Sequence, residues 1–272
     1  MGAFGKFLGY NCGGVFLESA LSMTIDPGSR QYDRIILTLF LAVYEPDADL
    51  LPFSKEDLVR AAEQLGIVVQ NVPDVIYTYR TGRAALPIDE HTYGIWAIEG
   101  TGKGSYHFVR LHRSPYIDIP QDMAITSILD ATPLIVLKYQ QSDEQALLAR
   151  IRYNRLIDIF TGLTAYHLQG HFRTTVPGLG QVEIDDLYIG VDGDGMGTLI
   201  PVEAKSHNER LGVVQIVQMV RFAREHFPDL PVRPLGVIVQ ADGSLLFAEF
   251  NAADSVNDVA TERFKRYRLD RE

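Results

Sequence analysis

The feature that most constrains the fold is a pair of alternating strands followed by an amphipathic helix, between residues 181 and 227. The strand patterns QVEIDDLYIGV and TLIPVEAKS are joined by the tight connection DGDGMG, which predicts a β-hairpin. The helix pattern LGVVQIVQMVRFAREHF follows, and then two more strand patterns, LGVIVQ and SLLFAEF. Together these segments predict an α/β arrangement in which a helix packs against a mixed sheet.

Two charged residues stand near the end of the second of these strands. Glu203 and Lys205 are two positions apart, so a strand places them on the same face. A buried strand rarely carries two charges on one face unless they are paired or functional. The first strand carries Asp185 and Asp186. One of the two lies opposite Glu203, and which one depends on the pairing register of the strands, which the sequence leaves open by one residue.

Carboxylates and a lysine in this spacing suit phosphodiester hydrolysis. Two carboxylates a few ångströms apart can hold Mg²⁺, which prefers oxygen ligands. A metal held there polarises the phosphate and lowers the pKa of a bound water, and a neighbouring lysine can stabilise the charge that develops.

This order of elements and charges resembles the PD-(D/E)XK nuclease superfamily, which includes many type II restriction enzymes and the archaeal Holliday-junction resolvases. The likeness covers roughly residues 143 to 250 and implies a restriction-endonuclease-like mixed sheet flanked by helices. It implies that Asp185 and Glu203 bind the metal and that Lys205 is the catalytic lysine. Ile184, not proline, precedes Asp185, and members of the superfamily often lack that proline.

The resemblance extends to two neighbouring positions. Some members carry a glutamine on the helix after the E-x-K strand, and Gln215 stands there, with Gln218 three residues further along. We predict that Gln215 supports the site, with ordinary helix polarity as the alternative. Glu144 is a second candidate for metal binding, and an ordinary acid at a helix start is its alternative.

The segment before this core has a different texture. Three helix patterns and a β-hairpin follow one another over residues 30–113, which predicts a winged-helix-like α+β domain. In such a domain the third helix and the hairpin tip face nucleic acid, so we predict nucleic-acid contacts for Tyr77, Arg80, Arg83 and Lys103. The alternative is a helical unit that binds protein or merely packs.

These patterns give a division of the whole chain. We expect an N-terminal arm over residues 1–29, the winged-helix-like domain over 30–113, an exposed linker and connecting segment over 114–142, and the nuclease-like domain over 143–272. Within the last, residues 143 to 168 predict one long helix.

Three rival motifs are present. Residues 192–203 approach the spacing of a calcium-binding loop, but Met196 takes a ligand position and a strand pattern stands where a helix is needed. Residues 100–104 suggest a phosphate loop, yet their place between two strand patterns favours a hairpin turn. His167 and His171 have the spacing of zinc ligands on a helix, and Gly170 between them disfavours that helix.

Composition sets the remaining expectations. The single cysteine, Cys12, excludes an internal disulfide and fits a reducing cytoplasm, and no apolar run is long enough to span a bilayer. The formal charge of −10 disfavours nucleic acid only mildly, because arginines cluster between Arg150 and Arg173.

The function predicted from these features is a cytoplasmic, Mg²⁺-dependent endonuclease that hydrolyses DNA. A non-enzymatic DNA-binding regulator on a degenerate nuclease-like core is the alternative, and RNA as the substrate and a homodimer as the assembly both stay open.

Overall fold

The computed structural model describes residues 30–139 and 144–271, so the expected N-terminal arm lies outside the described residues. The first half of the chain forms four helices and a three-stranded antiparallel sheet in the order β1-β3-β2. Its elements are α1 (Gln31–Val43), β1 (Leu50–Ser54), α2 (Lys55–Gln64), α3 (Val72–Arg80), α4 (Glu90–Tyr93), β2 (Ile95–Gly102) and β3 (Ser105–Leu111).

Local signals in the sequence explain most of these boundaries. Helix α2 begins after Ser54, whose hydroxyl accepts a hydrogen bond from the Asp57 backbone N–H at 3.2 Å, while the Asp57 carboxylate accepts one from the Ser54 N–H at 2.8 Å. Residues 103–104 form the turn between β2 and β3, so the hairpin reading of that segment is confirmed and a phosphate loop is not formed. Strand β1 was not predicted, and it extends the hairpin by pairing with β3.

The second half is a mixed seven-stranded sheet flanked by helices, as predicted in outline. Its strands lie in the order β4-β10-β9-β8-β7-β6-β5, and the pairs β7–β8 and β4–β10 are parallel while the others are antiparallel. The elements are β4 (Ile125–Leu129), α5 (Leu134–Tyr139), α6 (Glu144–Tyr153), α7 (Leu156–Thr161), β5 (Thr164–Val176), β6 (Gly180–Val191), β7 (Gly197–Lys205), α8 (Val213–His226), β8 (Leu235–Val239), β9 (Leu245–Phe250) and β10 (Thr261–Asp270).

The helices cover both faces of this sheet. Helix α8 packs in one core cluster with Leu199, whereas α6 and α7 pack in another with Ile200 and Val202. Neighbouring residues of β7 therefore point into different cores, as the alternation of a strand requires. Every residue of β7 from Leu199 onward is buried, which explains its nearly continuous apolar sequence.

The expectation of one long helix over residues 143–168 is wrong. The helix ends at Tyr153, where the Asn154 amide donates to the Arg150 carbonyl at 2.9 Å and accepts from the Ala131 N–H at 2.7 Å. Arg155 then adopts a left-handed conformation with φ of 47°, and a short second helix runs to Thr161. Strand β5 begins at Thr164, earlier than its sequence pattern predicts.

The β2–β3 hairpin joins the core of the second half, while the first half also has a buried cluster of its own around Phe40 and Phe108. Ala97, Val109 and Leu111 of the β2–β3 hairpin belong to the same buried cluster as α8 and β6. The start of the predicted linker is also held in place, because the Ile117 N–H donates to the Leu211 carbonyl and the Pro115 carbonyl accepts from Val213. These two bonds hold the segment after Arg113 against the residues that precede and begin α8.

None of the helices in the described ranges is both long and apolar enough to cross a membrane.

Candidate active site

A cleft of about 260 Å³ opens where the hairpin β6–β7, strand β5 and two helices meet. The sheet supplies one wall, formed by the side chains of His171, Arg173, Glu183, Asp185, Glu203 and Lys205. Helix α8 contributes Gln215 and Gln218, and the loop before it contributes Glu209. The opposite wall comes from the end of α3 and the loop after it, through Tyr77, Arg80, Thr81 and Arg83. The structure thus brings Asp185, Glu203, Lys205 and Gln215 into one place.

The register of the hairpin decides which aspartate faces the cleft. Asp186 pairs with Val202 and Leu187 pairs with Pro201, so the next step along the ladder sets Asp185 opposite Glu203. The Asp185 carboxylate accepts a hydrogen bond from the Ala204 backbone N–H at 2.8 Å, and only 8% of the residue is exposed. This bond fixes the aspartate beside the E-x-K strand.

Glu203 is the centre of a buried polar cluster. The Lys205 ammonium donates to Glu203 Oε1 at 2.8 Å, and the Gln215 amide donates to the same oxygen. The Gln215 carbonyl in turn accepts from the Gly212 N–H at 3.2 Å, at the start of α8. The helix therefore orients the glutamate through its first turn.

Burial and neighbouring charges perturb the titration of both members of the ion pair. Burial raises the pKa of Glu203 to about 7, with the Lys205 charge opposing and the Asp185 charge adding to the effect. For Lys205, burial works against the charged form, but the attraction of Glu203 and Asp185 outweighs it and raises the pKa. The lysine is therefore held as a cation, while the glutamate is a buried acid whose negative charge is costly in this place.

Asp186 belongs to a different face of the sheet. It is fully buried, and its carboxylate accepts from the Tyr188 hydroxyl at 2.7 Å. The same carboxylate lies 2.7 Å from His167 Nε2 and 3.6 Å from Arg152 Nε. Asp186 is therefore neutralised inside a polar network behind the sheet, away from Glu203 and Lys205.

The donor set suits a hard divalent cation such as Mg²⁺. Asp185 and Glu203 are adjacent carboxylates, and the Asp185 charge adds to the burial that raises the pKa of Glu203, so a cation between them would stabilise both charges. Among the described residues no group of three or more His, Cys, Asp or Glu side chains forms a complete metal cage. Mg²⁺ keeps several waters and needs only one or two carboxylates, so two ligands fit it better than they fit zinc. The Glu144 side chain lies outside the described residues.

The residues predicted to contact nucleic acid are divided between the cleft and the surface. Tyr77 donates to Glu183 Oε2 at 3.2 Å, and Arg80 donates to the Gln181 carbonyl at 2.9 Å, so α3 is docked on the start of β6. Arg83 is exposed and stacks over the Tyr77 ring at 4.7 Å. Lys103 is exposed at the β2–β3 turn and does not line the cleft.

Several lining residues were not predicted from the sequence. Glu183 accepts from Arg173 at 2.8 Å across the β5–β6 pair, and its position two residues before Asp185 was the available signal. Gln218 lies one helical turn after Gln215. His171 reaches the cleft from a backbone with φ of 48°, which no sequence pattern indicates for a strand residue.

The remaining rival motifs form other structures. Asp192 accepts hydrogen bonds from the Asp194 and Met196 N–H groups and closes the β6–β7 turn, with strands on both sides in place of the helices of a calcium loop. His167 and His171 both lie in β5, where His167 contacts Asp186 and His171 lines the cleft. Helical zinc spacing therefore does not apply to them.

Comparisons of the chain with protein-family models, with curated proteins and with solved structures give no match. The residues that line the cleft are therefore the basis for its proposed chemistry.

Proposed function

We propose that the protein is a Mg²⁺-dependent endonuclease of the PD-(D/E)XK type that hydrolyses phosphodiester bonds in DNA. The observation that carries this proposal is the convergence of Asp185, Glu203 and Lys205 in one cleft, where two carboxylates stand beside a buried ammonium group.

Each residue has a distinct task in this proposal. Asp185 and Glu203 would hold the cation, which when bound would supply Lewis-acid activation of the phosphate and of a water. Lys205 directs its charge at the attacking water and at the oxygens that become more negative in the transition state. Gln215 keeps Glu203 in position through its link to the first turn of α8.

The first half of the chain supports nucleic acid as the substrate. Its order is α1-β1-α2-α3-α4-β2-β3, and three helices followed by a β-hairpin, with the short α4 between them, support a winged-helix-like unit. Its α3 carries Arg80 to the cleft, Arg83 follows just after the helix, and its hairpin turn presents Lys103. Arg80 and Arg83 thus bring positive charge to the cleft, and Lys103 adds positive charge on the surface outside it, although the whole chain is acidic.

The test is cleavage of supercoiled plasmid DNA with Mg²⁺, beside an EDTA control and a parallel RNA substrate. We expect nicking or linearisation that EDTA stops and that Asp185→Asn removes. Asp194→Asn, an exposed aspartate of the β6–β7 turn, serves as the matched control and should cut like the wild type. Metal-independent DNA binding without any cleavage would contradict the proposal and favour a regulator.

A further inference from the structure

Two buried donors in the cleft lack an acceptor among the described residues. Gln218 is only 7% exposed, and its amide nitrogen Nε2 has no hydrogen-bond partner. The Nε of Arg80 is likewise buried and without a partner, although the same guanidinium donates through Nη2 to the Gln181 carbonyl. Leaving a buried donor without an acceptor is unfavourable, so two in one cleft point to a ligand that brings acceptors.

Both donors belong to residues that line the same cleft, Arg80 at the end of α3 and Gln218 on α8. The Nη1 of Arg80 lies 3.1 Å from the place where a Cβ would stand on Gly100, and the Leu179 carbonyl lies 2.3 Å from it, so only glycine fits there. One turn of α8 beyond Gln218, Arg221 lies 3.6 Å from Glu99, the neighbour of Gly100. Arg80 and this part of α8 thus both reach the same short stretch of β2.

The charge of this inner corner favours an anionic ligand. Burial lowers the pKa of Arg80 but leaves a guanidinium still charged at neutral pH. Lys205 stands on the opposite wall of the cleft as a second cation. Acceptor oxygens with a negative charge, as on a phosphate, satisfy a guanidinium and an amide together.

The wall made by α3 also limits what can enter. Because the β2–β3 hairpin shares a core with α8 and β6, and α3 is hydrogen-bonded to β6, this wall is part of the folded body. The cleft holds about 260 Å³ and lies between this wall and the sheet. A single strand, whose backbone and bases are not covered by a partner strand, is the form of nucleic acid that we expect to enter it.

We propose that the cleft takes one nucleic-acid strand at a time, and that Arg80 and Gln218 together bind a phosphate of that strand. The proposal rests on the nuclease function given above, since it names the form of the substrate for the same site. At the mouth of the cleft the Arg83 guanidinium lies over the Tyr77 ring. This contact offers a flat surface of the kind on which unpaired bases stack.

The experiment compares a single-stranded oligonucleotide with the same sequence in a duplex whose ends are closed by hairpin loops of a non-cleavable backbone. Binding is measured by fluorescence anisotropy with Ca²⁺ in place of Mg²⁺, and cleavage is measured with Mg²⁺. We expect the single strand to bind and to be cut at least about tenfold better than the closed duplex. Equal or better binding of the closed duplex would overturn the strand proposal.

Variants test the phosphate contact itself. Gln218→Leu keeps the volume but removes the donor, and we expect single-strand binding to weaken on the order of tenfold and KM to rise by a similar factor. Gln218→Glu should weaken single-strand binding further, because the carboxylate repels the phosphate. Gln240→Leu, a half-buried glutamine after β8 that does not line the cleft, is the matched control. Thermal unfolding shows whether each variant folds, and wild-type affinity in folded Gln218→Leu would contradict the assignment.

The two proposals fail differently. If no substrate is cut but the single strand still binds better and Gln218→Leu weakens that binding, the nuclease proposal fails and the strand site stands. If closed duplex and single strand are cut equally, the nuclease proposal stands and the strand proposal fails.

Discussion

Lys205 is the residue whose removal separates chemistry from metal binding. Its ammonium is a cation beside two carboxylates and cannot itself be a ligand, so Lys205→Ala should leave metal affinity nearly intact. We expect cleavage to fall by about 10²-fold or more, the loss typical of a group that stabilises transition-state charge. Cleavage rate and calorimetric titration with Mg²⁺ measure the two effects separately.

A matched variant makes this result specific. Lys265→Ala removes an exposed lysine from β10, which β9 and β8 separate from β7 in the sheet. This variant should cleave DNA at the wild-type rate. If Lys205→Ala cleaved DNA at the wild-type rate, the Glu203–Lys205 pair would be structural. The DNA-binding regulator would then be the better-supported function.

Asp185 and Asp186 are neighbours in sequence, and we expect their variants to behave in opposite ways. Asp185→Asn should abolish Mg²⁺ binding. The fold should persist, because the amide oxygen of the asparagine can still accept the hydrogen bond from the Ala204 N–H. Asp186→Asn should keep metal binding but lose about 1–3 kcal/mol of stability, since Tyr188, His167 and Arg152 lose their charged acceptor. Calorimetry and thermal melting of both variants check this, and the reverse pattern would mean that Asp186 holds the metal.

At the scale of elements, Glu249 joins three neighbouring strands. Its buried carboxylate on β9 accepts from Arg233, just before β8, at 3.1 Å and from Arg263 of β10 at 2.6 Å. Burial alone would raise the pKa of Glu249, but the two guanidinium groups outweigh it and hold the pKa below its usual value of 4.5. The charged form therefore stabilises the folded state above about pH 4.5, and this contribution is lost as the pH falls through the folded-state pKa.

Glu249→Gln tests this linkage. At neutral pH we expect the variant to be less stable by about 1–3 kcal/mol, because both arginines are partly exposed and the ion pairs are partly screened. The difference from the wild type should shrink as the solution is acidified below pH 4.5. Thermal melting across pH measures it, with exposed Glu262→Gln as the control, and a difference that grows on acidification would contradict the assignment.

At the scale of the whole molecule, the shared core predicts that the two halves unfold together. The first half has a buried cluster of its own, but the hairpin residues Ala97, Val109 and Leu111 bury their side chains against α8 and β6, so unfolding either half exposes apolar surface of the other. We expect a single calorimetric transition and little proteolysis between Ser114 and Ile117, whose backbone is bonded to the 211–213 segment. Two separate transitions, or rapid cleavage there, would show that the halves are independent domains.

The sequence by itself determined the elements whose signals are local. The β6–β7 hairpin, helix α8, the Ser54–Asp57 cap and the turn at Lys103 each follow from periodicity or capping chemistry within a few residues. The spacing of Glu203 and Lys205 determined that they share a face, because a strand alternates its side chains. These features predicted the centre of the cleft.

Only the tertiary structure decided the features that depend on distant partners. The choice between Asp185 and Asp186 needed the inter-strand register, and the break after Tyr153 needed the contacts of Asn154 with residues 130–132. Strands β4 and β10 escaped prediction because they pair with each other across more than a hundred residues of sequence, and their own patterns are mixed. The docking of α3 on β6, which closes the cleft, also lies beyond local pattern, since hydrophobic burial and hydrogen bonding between distant segments decide it.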